Sequence, residues 1–348
     1  MKKRILAVLI ATALAVSVTG CAGNATSSSD STSASSVAES SDTSTQTSSD
    51  ASSEDESKNE SSQEESKDLE ANYTKYTLDG DLTQHMIDMS RLNEGNKVRL
   101  ANVIKKLKNG EEVTVGFIGG SITQGTSAGN DLCYAKLTAD WLQKTYSNAK
   151  INYVNAGIGA TGSYIGVHRV ANDLLSKNPD LVFVEFSVND TTENTERNKK
   201  SYDGLLRTIW KSSTNPAIIT IATTQEDGTS FQDQHAEIVK HYDLPMISYR
   251  NTILDTIKHG DIVWKDISDD NIHPNVPGHK IVSQLLQAYI SDVDKDVDNI
   301  SGSESDFTNP ATDSPIENGS LIQPSSATDV TATGAFGNYE QQFGGFDG

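Results

Sequence analysis

Four short segments of this chain carry side chains that can do chemistry, and each follows an apolar run or precedes the last long helical pattern. The first is Gly119-Gly120-Ser121-Ile122-Thr123. Its glycines allow a sharp turn that leaves the Ser121 hydroxyl exposed, a nucleophile if a base can take its proton; taken alone, the same residues also read as a plain turn. Thr123 stands where the lipase elbow G-x-S-x-G needs glycine. The second, Asn155-Ala156-Gly157-Ile158-Gly159-Ala160-Thr161-Gly162, matches G-x-G-x-x-G, and Glu185 follows at about the spacing of a ribose-binding acid. A nucleotide site is therefore one reading, although that fingerprint belongs on the first strand of its domain and here follows the second; a tight loop between two backbones is the other. The third is Val188-Asn189-Asp190, where the Asn189 amide can donate to an oxyanion or simply form a turn. In the fourth, Asp270-Asn271-Ile272-His273-Pro274, an aspartate three residues before a histidine can accept from one ring nitrogen and leave the other free as a base. Without those companions His273 would read as a solvated loop residue.

The elements that must carry these segments alternate in type. Apolar runs at Val113 to Ile118, Ile151 to Val154, Leu181 to Phe186, Ala217 to Ala222 and Met246 to Ser248 read as strands. Amphipathic patterns near Asn96 to Lys108, Leu132 to Tyr146, Tyr164 to Leu175, Tyr202 to Trp210, Gln232 to His241 and Pro277 to Ile290 read as helices,. The alternation predicts an α/β three-layer sandwich: a mainly parallel five-stranded sheet with helices on both faces. Ligands of such folds gather at the carboxyl ends of the strands, where three of the four segments fall. No internal repeat is visible.

Composition divides the chain. Residues 22 to 70 hold 12 acids and 2 bases and residues 292 to 348 hold 11 acids and 1 base, so the net charge of −20 belongs to the ends. The nearly neutral stretch between them has the length of one domain, placed at 72-292. No basic stripe suggests nucleic acid as a partner. Residues 1-20 read as a lipoprotein signal peptide: Lys2-Lys3-Arg4 precede an apolar run too short to span a bilayer, and Val18-Thr19-Gly20-Cys21 resembles a lipobox that would leave Cys21 as the lipidation site,. The expected location is the outer face of a bacterial cell membrane, with free secretion as the alternative. Residues 21-71, dominated by Ser, Thr, Asp and Glu, read as a disordered linker of on the order of 40 Å,. Residues 293-348 read as an acidic and Gly-rich tail, and Leu321, Phe336, Tyr339, Phe343 and Phe346 allow the start of a truncated second domain. With Cys21 lipidated, Cys133 is left as a small buried hydrophobe.

Taken jointly, the four segments resemble the blocks of the SGNH hydrolase superfamily, the GDSL esterases. Those blocks are a Gly-Asp-Ser-Leu turn, a glycine loop, a Gly-x-Asn-Asp loop and a terminal Asp-x-x-His. Ser121, the loop at Gly159-Ala160, Asn189, and Asp270 with His273 fall in that order between about 111 and 292. Three residues depart from the pattern: Gly120 replaces the usual aspartate, Ser187 the glycine of Gly-x-Asn-Asp, and Ala160 the glycine whose N–H helps bind the oxyanion. Alanine can donate the same N–H, with Gly159 as the fallback.

The resemblance implies a carboxylic ester hydrolase. Ser121 is the nucleophile, His273 the base and Asp270 its orienter, and the oxyanion hole is formed by the N–H groups of Ser121 and Ala160 with the side chain of Asn189. Activity is expected to fall as His273 gains a proton, near pH 6 to 7 for an ordinary imidazole. The expected reaction is removal of O-acetyl groups from carbohydrate, with Trp264, Tyr134 or Tyr164 as a stacking platform for a sugar. The alternatives are a lipase or lysophospholipase-type acylhydrolase on the same fold, a nucleotide-binding oxidoreductase using the Gly157 to Gly162 loop, and a non-catalytic polysaccharide-binding module. No cofactor or metal is expected, since the pairs His273/His279 and His235/His241 match no zinc spacing. His279 is expected to face solvent or cap the last helix, and His85, His168 and His259 have no partner legible in the sequence.

Overall fold

The computed structural model describes residues 73–191, 194–317 and 319, and everything structural below concerns these. The leader, Cys21, the acidic linker and the chain beyond 319 lie outside them.

The sheet has six strands: β1 (Arg91–Asn93), β2 (Glu112–Gly119), β3 (Lys150–Gly157), β4 (Leu181–Glu185), β5 (Ala217–Ala222) and β6 (Met246–Ser248). Their order is β1-β6-β5-β4-β2-β3, with every pairing parallel except the short edge strand β1 on β6. The expected mainly parallel sheet thus gains one antiparallel edge.

Period-two alternation along the central strands divides the interior into two cores. Val113, Val115 and Phe117 of β2, Leu181 and Phe183 of β4, and Ile219 and Ile221 of β5 face one side. There they meet Leu100, Ile104 and Leu107 of α2 (Val98–Lys108), Ala135 and Leu142 of α4 (Tyr134–Thr145), Ile253 of α8 (Tyr249–Lys258), and Ile281 and Leu285 of α10 (Val276–Lys295). Ile118, Val182, Val184, Ile218 and Ala222 face the other side, covered by Val167 and Val170 of α5 (Ser163–Asp173), Leu205, Leu206 and Ile209 of α6 (Thr195–Trp210), and Ile238 and Val239 of α7 (Gln232–His241). A strand covered on both faces must read as a nearly continuous apolar run, as β4 and β5 do.

Three short or abruptly starting helices escaped the sequence reading: α1 (Gln84–Ser90), α8, and α9 (Trp264–Ile267); α3 (Ser121–Gln124) is the turn that carries Ser121. Ser248 ends β6 and caps α8 in the same step, its hydroxyl accepting from the Asn251 N–H at 2.9 Å, so no glycine or proline marks the change,.

The tail read from residue 293 is corrected for its first part. Helix α10 runs to Lys295, and the chain to Glu317 packs on α6 and α7. Phe307 stacks between Trp210 and Tyr242, with ring centroids 4.5 and 3.9 Å away. Asp203 accepts from the Thr312 N–H and hydroxyl, both at 2.7 Å, and Arg207 donates to the Phe307 carbonyl at 3.0 Å and to Glu317 at 2.5 Å. One aromatic ring and several polar anchors hold this strap, which is why its hydropathy resembles that of a linker.

Candidate active site

Parallel β2 and β3 end together, and a buried cation secures their ends. Arg169 of α5, 2% exposed, donates to the Gly119 carbonyl at 3.0 Å and to the Ala156 carbonyl at 2.6 Å. The chain leaves β2 at Gly119, turns at Gly120 and presents Ser121 as the first residue of α3. Its N–H is one of the first-turn donors that no helical carbonyl can take.

His273 arrives from the far side of the sequence. Ser121 Oγ lies 2.9 Å from His273 Nε2, and His273 Nδ1 lies 2.8 Å from Asp270 Oδ2. The other carboxylate oxygen accepts from the backbone N–H groups of Ile272 at 2.7 Å and His273 at 2.6 Å. Burial tends to raise the Asp270 carboxyl's pKa, but the hydrogen bonds from the His273 backbone, the His273 ring and Ile272 hold it below its ordinary value,. Asp270 therefore stays charged and fixes the ring with Nδ1–H toward itself, leaving Nε2 free to accept.

Two residues hold this loop that sequence reasoning did not assign to it. Trp264 Nε1 donates to the Asp270 carbonyl at 2.6 Å, and Ser268 Oγ lies within hydrogen-bonding distance of the Asp270 and His273 carbonyls, at 2.8 and 2.6 Å. Trp264 is thus buried scaffolding and not a sugar platform. Tyr134 is also excluded from that role: it is fully buried, with its hydroxyl 2.8 Å from Thr123 Oγ1. Tyr164 is half-exposed at the start of α5, with the Arg197 guanidinium 4.7 Å from its ring centre.

His279 is buried, contrary to the sequence reading. Its Nδ1 accepts from the Tyr134 N–H at 3.1 Å, its Nε2 lies 3.4 Å from the Thr126 carbonyl, and its ring stacks on Tyr134. Burial pushes its pKa down to about 4, against the pull of the Thr126 carbonyl, and nearby His273 adds to the lowering. Cys133 is buried at the N-cap of α4, with its sulfur 3.4 Å from the Asn130 carbonyl.

The three departures have local explanations. A Cβ at residue 120 would collide with Asn189 Oδ1, so the Asn189 amide occupies the space an aspartate side chain would need. The same contact places Asn189 against the Gly120-Ser121 turn. Ser187 Oγ accepts from the Thr223 N–H at 2.7 Å and lies 3.2 Å from its carbonyl, stitching the end of β4 to that of β5. Ala160 adopts the left-handed conformation at φ 59°, strained for a residue with a Cβ,. The Gly159 N–H already donates to Gln124 Oε1 at 2.9 Å, whereas the Ala160 N–H has no hydrogen-bond partner among the described residues.

Asp190 joins the loops of Asn189 and Ala160. Its Oδ1 accepts from the Ser163 N–H at 2.8 Å, its Oδ2 lies 2.9 Å from His235 Nε2, and its carbonyl accepts from Asn198 at 2.9 Å.

The glycine loop does not form a nucleotide cradle. A Cβ on Gly157 would strike the Thr123-Gln124 backbone and one on Gly162 would strike Asp190 Oδ1, so both glycines serve close packing. Glu185 is fully buried, with Thr223 Oγ1 donating to it at 2.7 Å and Thr123 Oγ1 at 3.3 Å, and cannot reach a ribose. Burial pushes its carboxyl up to about 7 despite those hydrogen bonds.

Residues 117–281 match the model of the GDSL-like lipase/acylhydrolase family. None of the curated proteins compared with the chain matches it. Among solved structures, a two-domain esterase active on acetylated mannans, co-crystallised with mannopentaose, is 38% identical, covering 65% of this chain and 60% of its own with a TM-score of 0.61. A further structure described as a two-domain esterase active on acetylated mannans is 38% identical over 65% of this chain and 61% of that one, with a TM-score of 0.62. An acetylxylan esterase from Geobacillus stearothermophilus is 20% identical over 51% of this chain and 94% of its own, with a TM-score of 0.44. The chain spans about 60% of the length of the mannan-active esterase.

Proposed function

We propose, from the match of residues 117–281 to the GDSL-like lipase/acylhydrolase family model, that this chain is a serine ester hydrolase removing O-acetyl groups from carbohydrate. The observation that carries the reading is the relay from Ser121 Oγ through His273 to Asp270, at 2.9 and 2.8 Å. As Ser121 Oγ attacks the ester carbonyl, its proton passes to His273 Nε2, and the ionised Asp270 stabilises the imidazolium. The developing oxyanion would accept from the N–H groups of Ser121 and Ala160 and from the Asn189 amide. His273 then gives its proton to the departing sugar oxygen. Water, deprotonated by the same nitrogen, then attacks the acetyl-serine, and the proton passes from His273 to Ser121 Oγ as acetate leaves.

A carbohydrate substrate is supported by the 38%-identical esterase active on acetylated mannans and by the half-exposed Tyr164 ring beside the glycine loop. We place the enzyme outside the cell, anchored through a lipid on Cys21. Loss of fatty-acid labelling in Cys21→Ser tests the anchor; labelling that persists in the variant overturns it.

The decisive experiment is acetate release from acetylated mannan and from p-nitrophenyl acetate. The wild-type chain turns both over, and Ser121→Ala loses about 10⁴-fold or more in kcat. Absence of wild-type turnover, or full activity in Ser121→Ala, overturns the assignment. A series of esters of rising acyl length separates the two acylhydrolase readings: kcat/KM falls beyond acetyl for the proposed enzyme and rises for a lipase.

A further inference from the structure

At the C-terminal end of α8, two imidazoles and a carboxylate converge. His85 Nε2 of α1 lies 2.6 Å from Asp255 Oδ2, and His259 Nδ1 lies 3.2 Å from the same oxygen and 2.9 Å from the Asp255 carbonyl. The three donor atoms all fall within 4.8 Å of one another. His85 and His259, without partners in the sequence reading, therefore meet on one acidic side chain.

We propose that His85, Asp255 and His259 form a structural zinc site that fastens the entry of the chain to the domain. The donor set decides the ion. Two ring nitrogens and one carboxylate oxygen suit a borderline cation such as Zn²⁺, whereas Ca²⁺ and Mg²⁺ demand oxygen ligands. The spacing is close to what the ion needs: ligands about 2.0 to 2.2 Å from a tetrahedral centre stand about 3 to 4 Å apart, so small rotamer adjustments would bring these three to bonding distance and leave the fourth position to a further ligand such as water,. The helix favours it too, because a helix C-terminus carries partial negative charge.

The rings are held in place by their surroundings. Tyr73 stacks on His259 with centroids 4.2 Å apart, and its hydroxyl donates to Asp261 at 2.5 Å, while His85 packs edge-on against both rings. Asp261 also accepts from the Tyr76 N–H at 2.7 Å. The zinc would thus tie α1 to the end of α8, against which Tyr73 also packs. That helix begins beside the strand ends that hold the active site and runs away from them for ten residues, about 15 Å,. The role is structural, and its failure would leave the ester hydrolase reading untouched.

The test uses the untagged full chain, stripped with chelator and dialysed against ZnCl₂. Elemental analysis should find one zinc per chain, and the melting temperature should rise by about 5 to 10 °C at a hundredfold excess over Kd. His259→Ala and the milder His259→Gln should lose both the zinc and the shift, whereas Ser121→Ala should keep both. Replacing Zn²⁺ with Co²⁺ should give visible absorption bands that vanish in His259→Gln. No zinc retained at pH 7.5, or equal retention in the His259 variants, overturns the proposal.

Discussion

Gly120 and Asn189 compete for one volume, and the catalytic consequence can be tested at that single residue. A Cβ at Gly120 would overlap Asn189 Oδ1 and sit 3.3 Å from the Thr161 carbonyl oxygen, so Gly120→Ala meets its main resistance from the Asn189 amide. The protein should fold normally while the amide is pushed off the oxyanion position. The expected result is a fall in kcat of about 10²- to 10³-fold, the usual effect of losing one such donor. Asn189→Ala should match it, and the double variant should be no worse than either single one; additive losses would show that the two act separately. Ala160→Gly should raise stability by a few tenths of a kcal/mol or leave it level, by removing the left-handed strain, and should retain activity because the N–H remains. A denaturant titration and a kcat measurement on the same preparation check both halves. Ser121, Asn189, Asp270 and His273 were legible because their types and order are local features of the sequence. Trp264, Ser268, Gln124 and Arg169 were not, because each acts by reaching a backbone group or an amide that only the folded chain brings near.

At the scale of elements, the strap from Asp296 to Glu317 does work its composition conceals. Phe307, 6% exposed, fills the space between Trp210 of α6 and Tyr242 at the end of α7. Phe307→Ala should cost about 3 to 5 kcal/mol in urea unfolding, the range for a buried phenylalanine. Ester hydrolysis under native conditions should stay near wild type, since the strap touches α6 and α7 and not the loops of Ser121 or His273. A stability change below about 1 kcal/mol would mean the strap lies loosely on the surface. The central strands were read correctly because burial on both faces imposes apolar runs on them. β1 and α1 were missed for the opposite reason: three and seven residues leave no periodicity to detect, and tertiary contacts decide their form,.

For the whole molecule, two buried groups set opposing dependences of stability on pH. His279 has its pKa lowered by burial to about 4, against about 6.5 in an unfolded chain,. Between those values the unfolded chain binds the extra proton, so this contribution is full above about pH 6.5 and is lost as pH falls toward 4. Glu185 runs the other way: its pKa is raised to about 7, so the folded state holds the proton between about pH 4.5 and 7, and stability is lost as pH rises through that window,. Each is worth on the order of 3 kcal/mol, and over most of the range the two offset one another. Glu185→Gln removes only the second. Whatever constant penalty the amide brings in its contacts with Thr123 and Thr223, the stability of the variant relative to wild type should climb between pH 4.5 and 7.5, by up to about 3 kcal/mol. Urea unfolding of both proteins at pH 4.5, 6 and 7.5 measures that difference directly. A gap independent of pH would show that Glu185 keeps an ordinary carboxyl pKa in the folded protein, and that its burial beside Thr123 and Thr223 is relieved by something other than a retained proton.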